Sequence, residues 1–266
     1  MAPDAWSYTS GTSDVPLLGL TIGDMFDRTA ERYPDNEALV SRHQNLRYTY
    51  RQLRQEVDRC ARALIALGVE KGHRVGIWAP NCAEWTITQF ATSKLGAILV
   101  NINPSYRLSE VQYALRQSGC TWLVTAPRFK TSDYTGMIHE LTPELAGSQP
   151  GALRSASFPN LRGVVRLGEE PSSGMLGWGA LLAMAERVGA DELARRQRQQ
   201  EFDDRSISSS RAAPPGIPRA RRSAITTSST MDSSPPGCCA SPIGTGCSSR
   251  CRSTTASAWS WATSAA

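Results

Sequence analysis

The sequence lacks several features that would place it in a membrane or outside the cell. A transmembrane helix needs about 20 consecutive apolar residues, and no segment of this 266-residue chain approaches that length. The first 14 residues are polar and lack the basic and apolar regions of a secretory signal peptide. The 7 cysteines therefore do not indicate a disulfide framework, and a cytoplasmic location is predicted.

After Asp204, several types of amino acid are missing from the sequence altogether. Residues 205–266 contain no Lys, Glu, Leu, Val, Phe, Tyr, Asn, Gln or His. They hold 7 arginines and one acidic residue, a net charge of +6, whereas residues 1–204 hold 22 basic and 23 acidic residues, a net charge of −1. The formal charge of +5 therefore belongs to the tail and not to the body. We expect an N-terminal extension over residues 1–20, a folded body over 21–204, and a disordered Ser/Arg/Pro/Ala-rich tail over 205–266.

Within the body, apolar runs alternate with amphipathic segments. Strands are expected at residues 38–40, 47–50, 75–78, 98–102, 121–124 and 164–167, and helices after Thr21, at 51–67, between Pro80 and Gly96, after Ser109, and at 181–185. Residues 128–160 are mixed and are expected to include a loop excursion. The order of strands and helices predicts an α/β fold with a mainly parallel sheet flanked by helices.

Four blocks of the body carry more specific information. They are TIGDMFDRTAERYPDNEALV (21–40), RYTYRQL (47–53), LIALGVEKGHRVGIWAPN (64–81) and KLGAILVNINPSYR (94–107). Their order and spacing resemble the N-terminal part of the adenylate-forming acyl-CoA synthetases, the AMP-binding enzyme family of AMP-dependent synthetases and ligases. The segment Asn101–Arg107 resembles the fatty-acyl-CoA ligase branch. The resemblance covers about Trp6 to Asp204.

The resemblance implies a chemistry that the chain itself lacks the parts to perform. Such enzymes join a fatty acid to ATP with the help of Mg²⁺ and pass the acyl-adenylate to coenzyme A. They use a loop of the form TSGTTGxPKG around the ATP phosphates, later nucleotide-binding motifs and a C-terminal lysine, and none of these is in this sequence. The segment Thr9–Ser13 has a similar look but precedes the fold and lacks the Pro-Lys-Gly. We therefore nominate no catalytic, cofactor-binding or metal-binding residue, and the chain as printed is expected to hold no cofactor and to be inactive.

The tail resembles a continuation of the family sequence when its codons are read one base earlier. With codons chosen within the degeneracy of the code, residues 205–216 (RSISSSRAAPPG) become INIQFTSGTTG, and residues 217–231 become HPKGATLSHHNIVNN. The joined product contains the family's phosphate loop, at the place where that loop belongs. Residues 250–262 likewise admit PVPLYHCFGMVMG, which resembles the next segment of the family. The hypothesis is that one base is missing near Asp204, so that the tail is out of frame.

Other interpretations of the sequence remain open but are less favoured. The tail arginines permit a nucleic-acid-binding tail, but they are scattered, so no nucleic acid is expected as a partner. A zinc site from the tail cysteines and a phosphate loop at Gly244–Gly246 lack the usual spacing and context. The body could also be a non-catalytic remnant that binds another molecule. Core, surface or loop roles are expected for the single cysteines, histidines and tryptophans of the body, namely Cys60, Cys82, Cys120, His43, His73, His139, Trp78 and Trp85. For Arg107, the resemblance implies a place near the substrate and coenzyme A side, and this role stays open beside ordinary loop packing.

Overall fold

Helices and strands alternate through residues 18–209, the part of the chain that the computed structural model describes. The helices are α1 (Ile22–Arg32), α2 (Tyr50–Ala66), α3 (Ala83–Leu95), α4 (Leu108–Ser118), α5 (Tyr134–Leu141), α6 (Trp178–Ala183) and α7 (Ala190–Arg198). The strands are β1 (Glu37–Ser41), β2 (Leu46–Thr49), β3 (Arg74–Trp78), β4 (Ile98–Asn101), β5 (Trp122–Thr125), β6 (Arg128–Phe129), β7 (Ser132–Asp133), β8 (Gly163–Arg166), β9 (Leu176–Gly177) and β10 (Ile207–Ser209).

Six of these strands form one parallel sheet with the order β10-β4-β3-β5-β8-β9. The connection from β3 to β4 runs across the sheet in the opposite direction to the connection from β4 to β5. Because such crossovers are right-handed, α3 and α4 lie on opposite faces. Helices α1, α2, α6 and α7 pack with α3 or with one another, whereas α4 packs with α5. The predicted α/β fold, a parallel sheet flanked by helices, is thus confirmed.

Local signals explain where the helices begin and end. The side chain of Thr21 accepts a hydrogen bond from the backbone N–H of Asp24 at 3.1 Å, as the sequence predicts for the start of α1. Gly96 follows α3 in the left-handed conformation, with φ of 69°, and ends that helix. The predicted cap at Ser109 is displaced, because α4 begins at Leu108 and the Glu110 carboxylate accepts the N–H of Arg107 at 2.8 Å.

Strand β10 lies past Asp204, the predicted end of the body. It pairs in parallel with β4, with Ile207 opposite Leu99 and Ser209 opposite Asn101. The backbone N–H of Leu99 also donates to the carbonyl of Ser206 at 2.9 Å. Hydrogen bonding to a neighbouring strand involves only the backbone, so the sheet extends into residues predicted to belong to the tail. Residues 1–17 and 210–266, which include the remaining predicted tail, lie outside the described residues.

A buried lysine joins three helices on one face of the sheet. The side chain of Lys94 on α3 is 2% exposed, and its ammonium lies 2.5 Å from carboxylate oxygens of both Asp27 on α1 and Asp58 on α2. The ammonium also lies 5.7 Å from the centre of the Phe26 ring. A buried charge is tolerated only when it is paired, so this ammonium fixes the positions of α1 and α2 against α3.

Helix α7 and the segment after it join the same network through two glutamines. The side-chain amide of Gln197 donates to Asp24 at 2.7 Å and to Asp27 at 2.9 Å. The amide of Gln200 donates to the backbone carbonyl of Lys94. These contacts direct the chain from α7 toward the edge of the sheet where β10 lies.

An aromatic pair fixes the loop that follows β4. The rings of Trp78 and Tyr134 are stacked, with centroids 3.7 Å apart and an angle of 13° between their planes. The indole N–H of Trp78 donates to the carbonyl of Asn103 at 3.2 Å, and the hydroxyl of Tyr134 donates to the carbonyl of Pro104. We call this arrangement the aromatic clamp, and both of its side chains are fully buried. The clamp therefore holds two consecutive peptide groups of the loop Asn101–Arg107.

Replacing Lys94 by methionine should strongly destabilise the protein. Lys94→Met keeps the length of the side chain but leaves Asp27 and Asp58 without their shared cation. Removing one partner of a buried ion pair costs about 3–5 kcal/mol. Lys71→Met is the matched control, because Lys71 pairs with Asp204 at 2.6 Å at a site where the side chains are 46% and 32% exposed. That loss should be under about 1 kcal/mol, and equal losses in denaturant unfolding would contradict the role given to Lys94.

Removing the hydroxyl of Tyr134 should loosen the loop after β4 while leaving the ring stack in place. Tyr134→Phe leaves the carbonyl of Pro104 without its donor, which should lower the free energy of unfolding by about 1–3 kcal/mol. Hydrogen exchange at the Tyr106 amide, which donates to Asn103 at 3.0 Å, should become faster. Tyr113→Phe, at a side chain that is 37% exposed, should change neither measurement. An unchanged Tyr106 exchange rate in Tyr134→Phe would argue against the clamp.

Candidate functional site

The carboxyl ends of parallel strands are the first place to look for a ligand. In open α/β sheets, ligands bind where neighbouring strands send their connections to opposite faces. Here that point lies between β3, which leads to α3, and β5, which leads to α5. The protein fills this crevice itself: the hydroxyl of Thr125 donates to the carbonyl of Trp78 at 3.3 Å, and the aromatic clamp lies directly beyond it. The Trp78–Tyr134 pair thus occupies this crevice, and the predicted core role of Trp78 is confirmed.

A second part of the same edge is open, at the ends of β4 and β10. The loop Asn101–Arg107 leaves the sheet here and exposes Asn103, Ser105 and Arg107. Because Ser209 lies opposite Asn101, whatever follows β10 starts beside this loop. This pair of strand ends is therefore the candidate functional site.

Arg107, the residue at the end of that loop, is held in place by two contacts. Its guanidinium donates to the hydroxyl of Ser132 at 2.9 Å, and its backbone N–H donates to Glu110. The first contact joins the loop to β7, and the second opens α4. These contacts give Arg107 a role in fixing the loop, which is the packing role that the sequence analysis left open beside a substrate-side role.

A buried arginine lies farther along the same edge and was not singled out from the sequence. Arg166 ends β8 and its side chain is 9% exposed, with the guanidinium donating to the carboxylate of Glu170 at 2.9 Å and to its backbone carbonyl. Among the described residues, its Nε has no hydrogen-bond partner. The Glu170 side chain is 86% exposed, so the pair closes a surface turn at the far side of the sheet from β10.

The thiols of the body have the environment of core residues. Burial raises the pKa of Cys82 to about 12 and that of Cys120 to about 11, and it raises the pKa of Cys60 further still. A thiol with such a pKa is almost entirely protonated at neutral pH, and the thiolate is the nucleophilic form. The structural roles expected for these cysteines agree with this chemistry.

The histidines are separated from one another and from the candidate site. A ring nitrogen of His43 lies 3.4 Å from the hydroxyl of Ser41, and one of His139 lies 3.3 Å from that of Ser172. The ring of His73 accepts the backbone N–H of Glu70 at 3.2 Å. Each contact stabilises a turn or a neighbouring segment.

The described residues do not fit a nucleotide with its metal ion. Within residues 18–209, no group of three His, Cys, Asp or Glu side chains is arranged to hold a metal. The carboxylates of Asp27 and Asp58 are taken up by Lys94. The segment Thr9–Ser13, the tail cysteines and Gly244–Gly246 lie outside the described residues. We therefore derive no chemical step through ATP or Mg²⁺ from this part of the chain.

The recess beside the end of α4 is too small for a substrate. This recess, of about 100 Å³, lies between the end of α4 and the segment before β8; it is lined by Leu115, Arg116, Gly119, Cys120 and residues 157–161. Ligand pockets usually measure about 300–1,000 Å³, and this recess lies at the amino ends of the strands.

No helix among residues 18–209 is both long and apolar enough to span a membrane.

Comparison with known proteins relates this fold to one family. The family model "AMP-binding enzyme" matches residues 26–173. The mouse protein "Medium-chain acyl-CoA ligase ACSF2, mitochondrial" is 43% identical over 170 residues, which cover 64% of this chain and 28% of the relative. The zebrafish protein of the same name is 41% identical over 159 residues, covering 60% of this chain and 26% of the relative. The chain thus spans less than a third of the length of these relatives.

Solved structures share the fold. A fatty acyl CoA synthetase of Mycobacterium tuberculosis superposes with a TM-score of 0.54 at 24% identity, covering 71% of this chain and 32% of that one. The N-terminal domain of FACL13 from the same organism gives a TM-score of 0.52 at 25% identity, covering 71% and 41%. The match to the family model extends over more than half of the sequence, so the chain belongs to the AMP-binding enzyme family.

Proposed function

We propose that the chain is the N-terminal part of an ATP-dependent fatty-acid–CoA ligase. In such a ligase, a carboxylate oxygen attacks the α-phosphate of ATP and pyrophosphate leaves. The thiol of coenzyme A then attacks the acyl carbon, and AMP leaves. The names of the ACSF2 relatives support an acyl-CoA ligase, and the segment Asn101–Arg107 supports a fatty acid as the substrate. ATP, Mg²⁺ and coenzyme A would serve the longer protein.

The observation that carries this proposal is the position at which the family pattern stops. The match to the family covers residues 26–173, and the composition changes shortly afterwards, at Asp204. The phosphate loop that the family needs next is absent from the printed frame, and the frame one base earlier admits it when codons are chosen within the degeneracy of the code. Its absence supports a ligase whose reading frame has been lost, so the printed chain should lack ligase activity.

Two other functions compete with this proposal. A non-catalytic remnant would bind a molecule through the body alone, but the crevice between β3 and β5 is filled by Trp78 and Tyr134. A nucleic-acid-binding protein would use the tail arginines, of which only Arg221 and Arg222 are adjacent. Under both alternatives, the activity of the protein does not depend on restoring the earlier reading frame. The activity of a ligase depends on it entirely.

The location and assembly of the protein remain predictions. The cytoplasmic location stays a prediction, and the ACSF2 relatives carry the word mitochondrial in their names. No nucleic acid is expected as a partner.

Thioester formation is the direct test of the proposed function. The purified 266-residue chain should form no acyl-CoA from ATP, coenzyme A and a medium-chain fatty acid. The product of the gene with one base inserted after codon 204 should form it, because the phosphate loop and the later motifs are then translated. The matched control carries the same insertion, with the lysine of the re-read HPKG segment changed to alanine. Electrostatic stabilisation at phosphate groups is a large catalytic contribution, so the control should lose at least about 100-fold in rate.

Two outcomes would contradict the proposal. Turnover by the printed chain would show that the phosphate loop is not missing from it. A frame-restored protein that folds, as judged by circular dichroism, but forms no thioester with fatty acids of any length would exclude the ligase.

A further inference from the structure

The side chain of Asp204 makes specific contacts just before β10. The Asp204 carboxylate accepts the backbone N–H of Glu201 at 2.8 Å and lies 2.6 Å from the ammonium of Lys71. Burial works to raise the pKa of Asp204, but the N–H of Glu201 and the ammonium of Lys71 outweigh it and keep that pKa below its ordinary value. Residues 200–204 thus fit their surroundings.

The side chain of Ser206 is not paired in the way that the side chain of Asp204 is. Its hydroxyl oxygen is buried and has no hydrogen-bond partner among the described residues. An unpaired buried hydroxyl destabilises a folded protein. Ser155 in the body also has a buried hydroxyl without a partner among the described residues, so it is the register of β10 that indicates a different side chain beside β4.

The register shows which kind of side chain the position suits. Ser208 lies opposite Val100, and side chains alternate between the faces of a strand. Ser206 and Ser208 therefore share the face of Val100, whose side chain is fully buried. A strand of a parallel sheet with both faces covered is normally apolar, yet this face of β10 carries two hydroxyls.

The genetic code allows the missing apolar pattern when both serines have codons of the TCN type. A serine codon of the TCN type, read one base earlier, becomes NTC, which encodes only Phe, Leu, Ile or Val. An isoleucine codon, ATN, becomes NAT, which encodes only Tyr, His, Asn or Asp. With TCN codons for both serines, the printed order Ser206-Ile207-Ser208 becomes apolar, polar, apolar for any choice of third bases, and the apolar residues fall on the face of Val100.

We infer that β10 is the out-of-frame remnant of an apolar strand and that the missing base lies between codons 204 and 206. Asp204 makes the contacts of a residue in its proper reading frame, whereas Ser206 places a hydroxyl where an apolar side chain is expected. The remnant forms part of the sheet because β4 pairs with the backbone of the remnant. The inference rests on the proposed function only for the identity of the lost strand. In the re-read sequence, that strand continues into TSGTTG beside the loop Asn101–Arg107.

A matched pair of variants of the full chain tests the inference without any assay of activity. Ser206→Val/Ser208→Val and Ser206→Thr/Ser208→Thr introduce side chains of the same shape, and only the second pair keeps the hydroxyls. The measurements are hydrogen exchange at the Leu99 amide, which donates to the Ser206 carbonyl, and the midpoint of denaturant unfolding. The valine pair should exchange more slowly than the threonine pair by about tenfold, since an unpaired buried hydroxyl costs on the order of one hydrogen bond, and its midpoint should be higher.

The opposite result would overturn the inference. If the threonine pair is as well protected as the valine pair, the face beside Val100 is a polar one and β10 is in its proper frame. The gene gives a second, independent result: one base inserted after codon 204 should open a continuous frame well past codon 266, and an early stop codon in that frame would also overturn the inference. A continuous frame whose product lacks ligase activity would refute the proposed function alone.

Discussion

The fold depends on the need of β4 for a hydrogen-bonded neighbour on each side. Strand β3 pairs with one edge of β4, and β10 pairs with the other. Without β10, β4 would be an edge strand, and the N–H of Leu99 and the groups that follow it would lose their backbone partners. Because a ladder of backbone hydrogen bonds involves no side chains, nearly any residues that reach this edge are accepted. This explains how a segment without strand-like composition becomes part of the sheet.

The charge of Lys94 decides which residues reach that edge. The ammonium joins α1 and α2 to α3 through Asp27 and Asp58, and the carboxylates of α1 then receive Gln197 of α7. Helix α7 is the last helix before β10, so its position sets the direction in which the chain approaches β4. A single buried cation, paired by residues far apart in sequence, thus determines the sixth strand of the sheet.

The sequence predicted the elements whose side-chain pattern is regular and missed those whose pattern is short or mixed. The period of 3.6 residues in α2 and the apolar runs of β3 and β5 are strong signals. Helix α5 was missed because it is only 8 residues long and lies within a mixed region, although the spacing of Tyr134, Ile138 and Leu141, all buried, indicates one helix face. Strand β10 could not be predicted, since its serines have the composition of a loop.

For the candidate site, the sequence located the chain segments but not their contacts. Asn101–Arg107 was recognised as a loop after a strand, and Trp78 as a core residue. That Trp78 stacks on Tyr134 and that both hold this loop depends on how two distant segments pack, which no local pattern specifies. The displaced start of α4 has a similar cause, because Glu110 reaches back to the N–H of Arg107 and makes a serine cap unnecessary.

If β10 is the out-of-frame remnant that we propose, the separation between the filled crevice and the open strand ends explains how the chain would keep its fold while losing the proposed chemistry. The aromatic clamp closes the crevice between β3 and β5 with residues that are all in frame, so the core of the sheet is intact. The ends of β4 and β10 are the remaining place for a phosphate loop, and there the loop must follow directly from β10. A wrong strand at that edge costs the fold an unpaired hydroxyl and some apolar contact, a few kcal/mol at most. The reaction, in contrast, depends on donors placed at the transition state, and the loss of a loop that supplies them cannot be offset by packing elsewhere.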